Sequence, residues 1–146
     1  GYYTCGVMSH FIHTHHDFST SHFIPLSLSS IFLKVGTYTT GGASSCTSCA
    51  AGRYQASTAQ SSCTSCPAGY YCASTGLSGY TSCAVGKYTA AGASSCTSCA
   101  AGKYQSSTAQ SSCVTCPGGY YCPSYSSTYN ACPGGYYCPS YSSTYK

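Results

Sequence analysis

Residues 84–116 read AVGKYTAAGASSCTSCAAGKYQSSTAQSSCVTC. The stretch is two versions of one short unit. Each opens Ala-x-Gly-Lys-Tyr, runs through Ser, Thr, Ala and Gly, and closes Ser-Ser-Cys-x-x-Cys. Gly86 and Gly102 permit a tight turn or a positive φ. Tyr88 and Tyr104 stand two residues later, with strand propensity and a broad face for packing. The polar stretch reads as loop. A unit this small cannot bury a core alone and has to stack on its neighbours.

Outward from this stretch the pattern continues. Gly recurs at positions 36, 52, 69, 86, 102, 119 and 135, each followed two residues later by Tyr, with a spacing of 16 or 17. A longer period of 50 carries Cys46, Cys49, Cys63, Cys66 and Cys72 onto Cys96, Cys99, Cys113, Cys116 and Cys122. Cys83 matches Cys132 after one deletion. The chain therefore divides into 1–5, the end of a preceding unit; 6–33, an insert outside the repeat; 34–83 and 84–132, two long repeats; and 133–146, the start of a further unit. Residues 116–129 recur unchanged as 132–145, and the last unit breaks off, so the natural protein is expected to be longer.

Composition says how such a chain can hold together. Of 146 residues, 14 are Cys, 4% are charged and none is Trp. After residue 34 the large aliphatic residues are only Val35, Leu77, Val85 and Val114. Covalent staples have to replace the missing core, and staples persist in oxidising compartments. The expected location is extracellular or the cell surface. The apolar run Phe23 to Leu33 is too short to span a bilayer. A signal peptide and any anchor are expected outside these residues. Lys34, Arg53, Lys87, Lys103 and Lys146 are scattered in sequence, which argues against nucleic acid as a partner.

Spacing alone does not fix cysteine connectivity, but the repeat constrains it. Joining the second Cys of each Cys-x-x-Cys to the next Cys gives Cys49–Cys63 and Cys99–Cys113. Cys83 stands at a second-Cys position and takes Cys96. Tyr80 replaces the first Cys of its unit, and Cys72 compensates, giving Cys66–Cys72. The same logic gives Cys116–Cys122 and Cys132–Cys138, and leaves Cys5–Cys46. Crossed pairings are the alternative. A rival is zinc, held by Cys46, Cys49, Cys63 and Cys66 and again by Cys96, Cys99, Cys113 and Cys116. That assignment leaves six cysteines unexplained.

The string Cys-x-x-Cys-Pro/Ala-Ala/Gly-Gly-x-Tyr, a Ser/Thr/Gly stretch and Ser-Ser-Cys-x-x-Cys resembles the ephrin-receptor-like cysteine-rich repeat, from residue 35 to the end. The resemblance implies a ladder of disulfide-bonded β-hairpins in large extracellular proteins, found in receptors and in long surface proteins of algae and other protists. The fold class expected is small and disulfide-rich: tandem short β-hairpin and coil units stacked into an elongated rod, with little or no helix. Near-identical units, low charge and abundant Tyr and Ser look more like a fibre or coat than a receptor.

Residues 6–33 hold all five His, all four Phe, the single Met and Asp17, the only acidic residue. Three readings stand open: a translated intron or gene-model error, a loop with Ile24, Leu26 and Leu28 alternating like a strand, and a metal site from His10, His13, His15, His16, His22 and Asp17.

Catalysis finds little support. Paired carboxylates are absent, and neither a nucleophile elbow nor a phosphate-binding loop occurs. No enzymatic activity and no cofactor are expected. Ser and Thr make up nearly a third of the chain. Ser57, Thr58, Ser106, Ser107, Thr108, Ser126, Ser127, Thr128, Ser142, Ser143 and Thr144 are candidates for O-glycosylation. The functional expectation is a glycosylated filament, coat or flagellar-hair-like fibre, whose partners are copies of itself or other surface proteins. The alternative is the stalk or ligand-binding ectodomain of a receptor or adhesin.

Overall fold

The structure is a computed structural model and describes Tyr3–Thr4, Val7–Met8 and residues 34–40 and 45–146. Its regular elements are strands of two residues, and no helix occurs among the described residues. Tyr3–Thr4 pairs antiparallel with Val7–Met8, two residues of the 6–33 insert. The expected Cys5–Cys46 bond and the candidate histidines lie outside the described residues.

From residue 34 onward the chain is seven consecutive units, at 34–49, 50–66, 67–83, 84–99, 100–116, 117–132 and 133–146. In each of the first six the Gly-x-Tyr strand pairs with the strand just before the closing Cys. Arg53–Tyr54 against Thr64–Ser65 and Lys103–Tyr104 against Val114–Thr115 are examples. In the seventh, Tyr137 and Lys146 exchange both backbone hydrogen bonds, at 2.8 and 3.2 Å.

The turn into each hairpin follows from its glycine. The seven repeat glycines have φ between +73° and +83°. In units two to seven the residue after the glycine donates its N–H to the carbonyl three residues earlier, as Arg53 does to Ala50 and Tyr70 to Pro67. Positive φ at the third position is what a type II turn requires. The closing Cys then donates to the glycine carbonyl, from Cys49 to Gly36 through Cys132 to Gly119, at 2.8–3.0 Å.

What these hairpins bury is sulfur. The buried apolar residues are Cys49, Cys66, Cys72, Cys83, Cys99, Cys116, Cys122 and Cys138, while Val35, Val85 and Val114 are exposed. Buried polar residues cluster just after the repeat tyrosine: Thr39, Gln55, Thr89 and Gln105. The Gln105 Nε2 donates to the Ser112 carbonyl at 2.8 Å and its Oε1 accepts from the Ser107 N–H at 3.1 Å, so one amide bridges the hairpin loop. Gln55 does the same with Ser62 and Ser57. With both ends of the amide used, its burial costs little.

Candidate functional site

No unit is self-contained, and the chemistry of the chain lies at the junctions between units. Three backbone contacts recur. The repeat glycine of one unit donates to the carbonyl just after the tyrosine of the next, as Gly36 to Gln55 and Gly119 to Cys138, at 2.7–2.9 Å across six junctions. The residue after the tyrosine donates in turn to the next unit's loop, as Gln55 to Leu77 and Cys122 to Ser142, at 2.9–3.2 Å.

The third contact skips a unit. In units two to seven one residue of the hairpin loop takes a left-handed conformation: Ala59, Gly76, Gly92, Ala109, Tyr125 and Tyr141, with φ from 58° to 78°. Five of them donate to the closing Cys carbonyl two units back: Gly76 to Cys49, Gly92 to Cys66, Ala109 to Cys83, Tyr125 to Cys99 and Tyr141 to Cys116, at 2.8–3.1 Å. The carbonyls of these five loop residues press on the repeat glycines. A Cβ at Gly36 would lie 2.0 Å from the Gly76 oxygen, and one at Gly102 would lie 2.3 Å from the Tyr141 oxygen. At Gly119 and Gly135 nothing lies within 4 Å of that position. Glycine thus serves both the turn and the approach of the unit after next.

Each junction is also covalent. The structure pairs Cys49 with Cys63, Cys66 with Cys72, Cys83 with Cys96, Cys99 with Cys113, Cys116 with Cys122, and Cys132 with Cys138. These are the pairs that the repeat register gives. Cys46 is disulfide-bonded too, and no cysteine is free among the described residues. The sulfurs that a zinc site would have needed are consumed in these bonds.

Junctions come in two kinds. Between units one and two, three and four, and four and five, the bond reaches a Cys flanking the second strand, 13 or 14 residues on, and Arg53, Lys87 or Lys103 follows the repeat glycine. In the other three the bond reaches Cys72, Cys122 or Cys138, only six residues on. Tyr80, Tyr129 or Tyr145 then stands at the vacated Cys position, and Tyr70, Tyr120 or Tyr136 at the basic position. These tyrosines interlock edge to face. Tyr80 lies 4.9 Å from both Tyr54 and Tyr70. Tyr129 lies 5.1 Å from Tyr104 and 4.7 Å from Tyr120. Tyr145 lies 5.4 Å from Tyr121 and 4.8 Å from Tyr136. Each triad fills the space that a cystine occupies elsewhere, while Tyr120, Tyr129, Tyr136 and Tyr145 stay partly exposed, at 37–55%. Tyr125 and Tyr141 are exposed, and Tyr137 is 70% exposed.

The glycosylation candidates divide as well. Ser57, Ser106, Ser107, Thr108, Ser127, Thr128 and Thr144 are exposed, whereas Thr58, Ser126 and Ser143 are half-buried. Ser142 is buried, and its Oγ donates to the Pro139 carbonyl as Ser126 does to Pro123. No helix among the described residues is long and apolar enough to cross a membrane.

A family model matches the chain twice. The profile described as tyrosine-protein kinase ephrin type A/B receptor-like covers residues 36–83 and again 86–131. Each match spans three of the units above. No curated protein matches the chain.

Proposed function

The chain belongs to the ephrin-receptor-like family, a disulfide-rich extracellular module, and from that premise we propose that it is a non-catalytic building element of a surface filament, coat or flagellar-hair-like fibre. The observation that supports this most is the sameness of the junctions. Six in succession carry the same glycine-to-carbonyl bond and a disulfide, and no unit has an apolar centre of its own. Such a stack has no natural closure. It lengthens by adding units, the behaviour of quasi-one-dimensional repeat proteins. An elongated rod is the shape this connectivity favours, and the exposed Ser and Thr of the loops are suited to carry O-linked glycan.

Immunogold electron microscopy of the intact cell surface, with an antibody raised to residues 100–116, tests the reading. Label strung along filaments or a coat supports it. Label confined to the membrane plane, at single copies, replaces it with the stalk of a receptor or adhesin. Peptide mass spectrometry after β-elimination locates any glycan and is expected to find it on Ser106, Ser107 or Thr108 rather than on Ser142.

A further inference from the structure

Two open hollows lie at junctions of the first kind. One, of about 450 Å³, is lined by Tyr38 and Ser48 of one unit and Arg53, Ser62 and Cys63 of the next. The other, of about 290 Å³, is lined by the corresponding Tyr71, Ser82, Lys87, Ser95 and Cys96. The same five positions recur between units four and five as Tyr88, Ser98, Lys103, Ser112 and Cys113. Three of the five basic residues that look scattered in sequence, Arg53, Lys87 and Lys103, therefore occupy one repeated structural position. Junctions of the second kind replace both the cation and the Cys with Tyr, and there the triads cover the repeat tyrosine.

The chemistry of a hollow is a half-buried phenol ring, two serines and a cation. No carboxylate side chain exists among the described residues, since Asp17 is the only acid in the chain. The Arg53 Nη1 donates to the Cys63 carbonyl at 3.2 Å. A ring face accepts the C–H face of a pyranose, hydroxyls match its hydroxyls, and a guanidinium or ammonium takes a carboxylate or sulfate. The volumes suit one or two sugar residues rather than a protein segment. We propose that these hollows bind an anionic saccharide chain, with one acidic group against Arg53, Lys87 or Lys103 and a sugar face on the preceding unit's tyrosine. Repetition along the stack would let one polymer engage several hollows at once. The inference stands whether the stack serves a fibre or a stalk.

The test is titration calorimetry of the oxidised full chain with oligogalacturonate, dextran sulfate, neutral dextran and a single-stranded oligonucleotide of matched charge. At least one anionic saccharide is expected to bind, more weakly as salt rises, and neutral dextran at least about tenfold less well, as loss of a charge-assisted contact implies. Preference for oligogalacturonate identifies the carboxylate source, and preference for dextran sulfate the sulfate source. Lys87→Gln with Lys103→Gln should weaken binding about tenfold or more. Lys34→Gln with Lys146→Gln removes the same charge away from the hollows and should change it less than about twofold. Equal losses in the two double variants would reduce the effect to net charge and overturn the proposal. So would no saccharide binding, equal binding of neutral dextran, or equal binding of the oligonucleotide. Intact mass before and after reduction verifies that each variant keeps its disulfides.

Discussion

Between units three and four, Tyr71 and Lys87 border an open hollow; between units five and six, Tyr104 packs on Tyr129, which packs in turn on Tyr120. The backbone contacts of the two junctions are the same, with Gly69 bonded to Thr89 and Gly102 to Cys122. What differs is three side chains. Where the second strand is flanked by Cys, that residue makes the bond and leaves the tyrosine face open. Where it is flanked by Tyr, the bond moves to the residue after the repeat tyrosine, and the freed space fills with aromatic rings. The backbone ladder thus tolerates two solutions to one packing problem. The closed solution serves cohesion, and the open one leaves a surface to which a ligand has access.

The sharpest test of what the two kinds of junction share lies at the glycines. Gly102→Ala is expected to cost more than about 3 kcal/mol, because a positive φ is strained for Ala and its Cβ would strike the Tyr141 backbone. Gly119→Ala has the same φ but open space, so only the backbone strain of about 1–2 kcal/mol applies. Amide exchange in the oxidised chain reads both, and equal losses would mean that the two-unit contact contributes nothing. Next come the disulfides. Replacing Cys99 and Cys113 together by Ser should cost about 3 kcal/mol, and replacing Cys116 and Cys122 about 2, since loop-closure entropy grows with loop length. A reversed order would show the triad junction to be the more dependent on its bond. Limited reduction with differential alkylation sharpens this. Cys63, Cys96 and Cys113 are half-buried, whereas both partners of Cys66–Cys72 and Cys116–Cys122 are fully buried, so the longer loops should open first. Tyr129→Leu removes two edge-to-face contacts and should cost about 1–2 kcal/mol, felt in units five and six alone. Smallest of all, Lys87→Gln should change stability by less than about 0.5 kcal/mol, as an exposed residue with no ion pair.

The fold class was legible because its cause is local. Gly-x-Tyr at a spacing of 16 or 17 marks a turn and a strand wherever it occurs, and a chain with no aliphatic core has to be held by its cysteines. The contact that skips a unit was not legible. Its left-handed residue is Gly at 76 and 92 but Ala at 109 and Tyr at 125 and 141, so no residue type announces it. The triads were half legible. Tyr80 visibly stands in a Cys position, but that it would meet Tyr54 and Tyr70 depends on how far one unit is displaced from the next. The hollows left a usable signal, a basic residue between the repeat Gly and Tyr, that sequence order hid by spreading it over 50 residues.

The disulfides also decide what happens when the chain is pulled. Tension entering at Cys49 crosses directly to Cys63, leaves through Cys66, crosses to Cys72, and so on to Cys138. The hairpin loops between bonded partners are bypassed and carry no load. The runs between successive bonds lie on the force path: the short ones 63–66, 96–99 and 113–116, and the longer 72–83 and 122–132, which include the hairpin loops of units three and six. Cys-x-x-Cys therefore acts as a link of chain mail, with load arriving on one sulfur and departing from the other. Under load such a strand lengthens first in units three and six, while the units bridged across their loops hold, and chemical reduction is what would let those run slack.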